Sequence, residues 1–147
     1  MTDILTADEQ RSLRALVAMI IPASAKHGVP GADDDAIFAD ILGSLGRDVG
    51  HVVAALRRLR VLAGGVFADL DTARRDAVAE VFRAEGGVDL VRLSNIVLQC
   101  YYRDDRVMRS LGMEPRPPFP KGFEVEQGDW SLLDPVRARA KIWRDAP

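Results

Sequence analysis

The sequence predicts an all-α fold: a single five-helix, bundle-like domain with added short helices and an extended proline- and aromatic-rich C-terminal arm. Three observations predict it. Apolar residues recur at the three- and four-residue spacing of amphipathic helices in segment after segment. Capping residues precede these segments, and glycines or prolines follow them. No run alternates apolar and polar residues convincingly enough for a strand, and no internal repeat is visible. With 147 residues, 48% of them hydrophobic, the chain suits one domain with a real core.

Thr6 opens the first helix with a capping box, because Glu9 three residues later can reach back to the cap amide. Leu13, Leu16, Val17, Ile20 and Ile21 form its stripe, and Pro22 stops it. A loop holding Gly28, Pro30 and Gly31 follows. Asp33, Asp34 and Asp35 then stand where a helix N-terminus favours negative charge, ahead of Ile37, Phe38, Ile41, Leu42 and Leu45. Asp48 is the expected cap of a third helix, with Val49, Val52, Val53, Leu56, Leu59 and Ala63 on one side and His51, Arg57 and Arg58 on the other.

Asp71 or Thr72 caps the fourth helix, which carries Ala77, Val78, Val81 and Phe82. The fifth, Val88 to Tyr102, is apolar around much of its circumference, which predicts a central helix buried on most sides. A short helix follows from Asp105 to Leu111, with Gly112 as its C-cap. Residues 1–112 are thus expected to form the helical core, and residues 113–147 the arm. The arm begins with a polyproline-like stretch from Glu114 to Gly122, and its last short helix is expected to start with Asp134 as N-cap and Pro135 at the first position.

Charge and cysteine content narrow the function classes. A net charge of −2 does not supply the basic face that nucleic acid requires, and Arg57, Arg58 and Arg60 read as a solvated helix face. No segment approaches the ~18 apolar residues of a membrane span, so membrane insertion is not expected. The segment from Met1 to Glu9 lacks a positive start and an apolar run, so no secretory signal is read there. Cys100, the one cysteine, leaves no intrachain disulfide and fits a cytoplasmic location.

The familiar catalytic constellations are missing from the sequence. His27 and His51 belong to no HExxH pair. The acidic run Asp33–Asp35 fails as a calcium loop, since Ser44 stands at the twelfth position where a glutamate is needed. Cys100 sits in the apolar helix, where burial makes a thiol inert. No serine lies in a GxSxG elbow, and the glycine pairs end helices rather than opening one after a strand. The expectation is no catalytic, cofactor-binding or metal-binding residue in this chain.

Two features point instead to partner binding. Tyr101-Tyr102-Arg103-Asp104-Asp105-Arg106 stands where the central helix ends, and Tyr and Arg are enriched at interfaces, although half-buried packing also explains a tyrosine there. Phe119, Phe123, Trp130 and Trp143 place large aromatics, both tryptophans included, on an arm with no core of its own. They dock either on the helical domain or on a partner. Tyr101, Tyr102, Arg103, Phe119, Phe123, Trp130 and Trp143 are therefore the candidate partner-binding residues.

The stretch from Leu16 to Ala32, with Ile20-Ile21-Pro22 and Val29-Pro30-Gly31-Ala32, resembles the opening of the gluconate 2-dehydrogenase subunit 3 family. Tyr101 to Val107, running on to Leu111-Gly112, is similar to that family too, as is the arm through Gly122-Phe123. The resemblance spans Leu13 to Trp143. It implies a helical, cofactor-free small subunit that supports a large FAD-carrying oxidoreductase of the glucose–methanol–choline class, acting on a sugar, sugar acid or alcohol. Many members begin with a twin-arginine export signal. Arg57-Arg58 and Arg74-Arg75 are internal, so a cytoplasmic hetero-oligomer is the expectation. The competing expectations are a stand-alone helical enzyme with its site near Tyr101, Arg103 and Asp104, and a general helical adaptor or regulator.

Overall fold

The computed structural model describes residues 5–116, 122 and 126–141. They divide between Pro115 and Arg116 into two units. The first holds six α-helices: α1 Ala7–Ile20, α2 Asp35–Gly43, α3 Val49–Ala63, α4 Thr72–Glu85, α5 Val88–Arg103 and α6 Asp105–Ser110. Short 3-10 turns stand at Gly46–Asp48 and Phe67–Asp69. The fold is all-α, and extended pairing among the described residues is limited to one isolated bridge between Ser24 and Val29.

Local chemistry sets most of the helix boundaries. The Thr6–Glu9 capping box forms in full, with Thr6 N donating to Glu9 Oε2 at 2.8 Å and Glu9 N to Thr6 Oγ1 at 3.3 Å. Within the acidic run, Asp34 is the cap of α2, accepting from the Ala36 and Ile37 amides. Asp71, not Thr72, caps α4 by accepting from Arg74 N at 2.9 Å. Asp48 makes no capping bond. The 3-10 turn Gly46–Asp48 leads directly into α3, so the chain is already coiled before the helix begins. Gly64 ends α3 at φ 66°, a left-handed conformation that glycine adopts without a Cβ clash.

The core gathers Leu13, Leu16 and Val17 from α1, Ile37, Phe38 and Ile41 from α2, and Val52, Ala55, Leu56 and Leu59 from α3. Helix α3 is its hub, packing on α1, α4 and α5. Helix α4 gives one buried side chain, Phe82, and Val81 is exposed. Leu5 and Phe67, read as part of no helix, are both buried. Phe67 projects from a 3-10 turn too short to show helical periodicity. Arg75 lies over its ring and donates to the Ala68 and Leu70 carbonyls, each at 2.9 Å.

Helix α5 departs from the expectation of burial on most sides. Leu93, Ile96, Val97, Cys100 and Tyr101 are buried, whereas Val88, Val91, Leu98 and Tyr102 are exposed. It packs on α3, α2 and α6, which together cover one side. The apolar residues around its circumference therefore form two separate stripes, and only one of them belongs to the core.

In the second unit, a 3-10 turn Trp130–Leu133 runs into α7, Asp134–Arg137. Asp129 caps the turn, accepting from Ser131 N at 3.0 Å. Asp134 is the first residue of α7 rather than its cap, because the coiled backbone before it leaves no N-terminal break to fill. Its carboxylate instead pairs with Arg137 at 3.1 Å.

Candidate functional site

The segment Tyr101–Arg106 forms a corner. Asp104 adopts ψ 131°, breaking α5, and its side chain accepts from Arg106 N at 2.9 Å, so one residue ends α5 and caps α6. Opposite the corner lies the loop between α1 and α2. Ala32 N donates to Ile21 O at 2.9 Å, and Ser24 and Val29 exchange amide–carbonyl bonds at 3.0 and 3.1 Å. The loop is thereby closed on itself, with Ala32 fully buried beneath it.

Three side chains of the corner tie it to the loop and to α2. Tyr101, 4% exposed, donates its hydroxyl to Pro30 O at 3.1 Å. Arg103 makes a two-pronged contact with Asp40, Nε reaching Oδ2 at 2.6 Å, and Nη2 donates to Ser44 Oγ at 2.6 Å. Arg106 grips Asp34 through Nη1 at 3.1 Å and Nη2 at 2.7 Å, and it also holds Asp104 through Nε and Nη2, each at 3.0 Å. Two-pronged guanidinium–carboxylate pairs fix orientation as well as charge.

The electrostatics follow from that geometry. The Arg106 hydrogen bond holds the Asp34 carboxyl below the usual carboxylate range, and Asp104 is lowered by the same arginine. Arg103 does the same for Asp40. Asp34, followed by Asp104, raises Arg106 above the ordinary guanidinium value. Burial pushes the Cys100 thiol and the Tyr101 hydroxyl up. The apolar helix around Cys100 implied wholly apolar neighbours, but its Sγ lies 3.6 Å from Arg103 Nη2, beside the Asp40–Ser44 cluster. Residues more than fifty positions apart supply that cluster, so helical periodicity could not reveal it.

Of the residues singled out in the sequence, Tyr101 and Arg103 are thus spent inside the chain. Tyr102 is 53% exposed, its ring edge-on to Tyr101 at 5.3 Å between centroids. Trp130 belongs to the second unit and is 61% exposed, with Nε1 3.4 Å from Gln127 Oε1. Phe119, Phe123 and Trp143 lie outside the described residues. Leu132, Leu133 and Val136 are exposed beside Trp130, so seven consecutive positions present four large apolar side chains to solvent. Sequence reasoning named only Trp130 among them as a partner-binding residue. Leucines and valines on a short turn carry no signal that separates them from core residues.

Elsewhere in the first unit, α1, α4 and α5 border a groove of about 460 Å³ lined by Leu16, Met19, Ile20, Ala79, Phe82 and Leu90. His51 Nδ1 lies 2.6 Å from Asp89 Oδ1, joining α3 to the start of α5. Among the described residues, no group of three or more histidine, cysteine, aspartate or glutamate side chains is placed to hold a metal ion. No helix among them is long and apolar enough to cross a membrane. The chain matches no family model, no curated protein and no solved structure.

Proposed function

We propose that the chain is the non-catalytic small subunit of a hetero-oligomer, binding and stabilising a large FAD-dependent oxidoreductase of the glucose–methanol–choline class that acts on a sugar, sugar acid or alcohol. The observation that carries the reading is the exposed apolar segment of the second unit, where Trp130, Leu132, Leu133 and Val136 all face solvent. Leaving that much apolar area wet is unfavourable, and a partner surface relieves the cost. The resemblance of the chain to the gluconate 2-dehydrogenase subunit 3 family names the partner. Two of the segments that carry the resemblance meet in space, through the Tyr101–Pro30 hydrogen bond and the Arg106–Asp34 pair next to it.

The flavin belongs to the partner in this reading, and the small subunit contributes surface rather than chemistry. The side chains that a stand-alone enzyme would draw on near the corner, Tyr101, Arg103 and Asp104, are already engaged in hydrogen bonds within the chain. A cytoplasmic setting accords with a single, free cysteine.

Co-expression with a large FAD-carrying oxidoreductase of the glucose–methanol–choline class tests the proposal. The two chains should elute together in size exclusion, with flavin absorbance under the shared peak. Trp130→Ala should weaken the complex by about thirtyfold, the loss of one aromatic anchor worth ~2 kcal/mol. A flavin-loaded peak that never contains this chain, at any concentration tried, defeats the proposal.

A further inference from the structure

The outward stripe of α5 has a pattern of its own. Val88, Val91, Asn95, Leu98 and Tyr102 are all exposed and are spaced three, four, three and four residues apart. That is the repeat of a two-stranded coiled-coil seam, laid on the side of the helix opposite its buried residues Leu93, Ile96, Val97 and Cys100. A helix that merely faces water has no reason to keep four of five seam positions apolar.

We propose that this face binds a second copy of the chain, with Asn95 of each copy meeting at the two-fold axis. The stripe is its own complement. Its single polar member stands in the middle, with two apolar side chains on either side. An asparagine buried alone against apolar groups would lose its hydrogen bonds with water, whereas two facing amides satisfy each other and set the register. Charge does not oppose the pairing. Arg92 is the one charged residue flanking the seam between Val88 and Tyr102, and the positions on the other flank, Gly87, Ser94 and Tyr101, are uncharged. Asp89 follows Val88 in sequence but lies on the flank of α5 turned towards α3, where it is paired with His51.

One anchor is preorganised. Tyr102 is held edge-on by Tyr101, which is itself fixed to Pro30 O, so little rotamer freedom is lost when Tyr102 is covered. Two heptads of one helix against another bury on the order of 1,000 Å² in total, the lower edge of specific interfaces, so the dimer is a weak one. The inference concerns the isolated chain and is independent of the flavoprotein reading.

Sedimentation equilibrium on the full chain, from about 5 to about 500 µM, should show the mass rising from 16.1 kDa towards twice that value. Leu98→Lys should raise the dissociation constant about tenfold or more with the helical circular dichroism unchanged. Val61→Lys, at an exposed valine on α3 away from the stripe, should leave it where it was. Asn95→Cys supplies a second test that does not depend on the lysine variant folding. Cys100 is buried, so mild oxidation should join two copies through position 95 at a dilution where Val61→Cys stays uncoupled. A chain that remains monomeric throughout the range overturns the proposal. So does a dimer indifferent to Leu98→Lys, or cross-linking at position 95 no faster than at position 61.

Discussion

A methyl group added at Gly31 would stand 2.9 Å from the Ala23 amide nitrogen and 3.3 Å from the Ile21 carbonyl oxygen, both backbone atoms that cannot turn aside. Gly31→Ala should therefore spread the loop that presents Pro30 to Tyr101 and lower stability by about 1–3 kcal/mol, read from a urea midpoint. At Gly28, in the same loop, a Cβ would meet nothing within 4 Å, but its φ of 63° still favours glycine. Cys100 makes a second residue-level case. Burial and a raised thiol pKa should leave it unreactive towards a disulfide reagent at pH 8 until denaturant is added. Cys100→Ser should cost only about 1 kcal/mol in a melting experiment, because Arg103, Asp40 and Ser44 can receive a hydroxyl. The sequence showed Cys100 on an apolar helix but not this polar pocket, since Ser44 and Asp40 come from α2 and its C-cap, more than fifty positions earlier in the chain.

At the level of elements, the corner between α5 and α6 hangs on Arg106. Arg106→Ala removes its bonds to Asp34 and Asp104 and should cost about 1–2 kcal/mol at pH 7, allowing for partial exposure of the pair. The pH dependence has a definite sign. Asp34, Asp40 and Asp104 have folded pKa values below their unfolded ones, so their contribution is complete above the unfolded value near ~4 and is lost as pH falls through the folded values. Urea midpoints of the wild type and Arg106→Ala should accordingly differ clearly at pH 7 and converge towards pH 3. The capping of α1 and α2 was legible because cap and amide lie within three residues of each other. Asp48 and Asp134 misled for the same local reason: each has the right side chain, but the backbone before it is already coiled. On α5 the apolar count was right and its meaning was not, because residues on opposite sides were read as one surface.

At the scale of the whole molecule, the first unit contains the described core from Leu5 to Val107, and its helices pack on one another. A chain cut after Pro115 should keep its helical circular dichroism and a cooperative melt, while losing Trp130 and with it affinity for the proposed flavoprotein partner. Loss of the fold on truncation would mean that the arm is part of the core, the other outcome its aromatics allow. The all-α class was plain in the sequence because periodicity and caps repeat in every helix. The ties between distant segments were not, since an arginine at position 103 or 106 announces its charge but not its carboxylate.

Those ties also set a timetable for synthesis. The arginine that neutralises Asp34 lies 72 residues further along the chain, and the one for Asp40 lies 63 further. At ribosomal rates of about 5–20 residues per second, α2 and its loop wait roughly 3–15 s for their partners to be made. During that interval the nascent chain carries Ile37, Phe38 and Ile41 without the α5–α6 corner that will hold them in place. A chaperone that recognises short apolar segments would find one uncovered there, and its hold should end once Arg106 clears the exit tunnel.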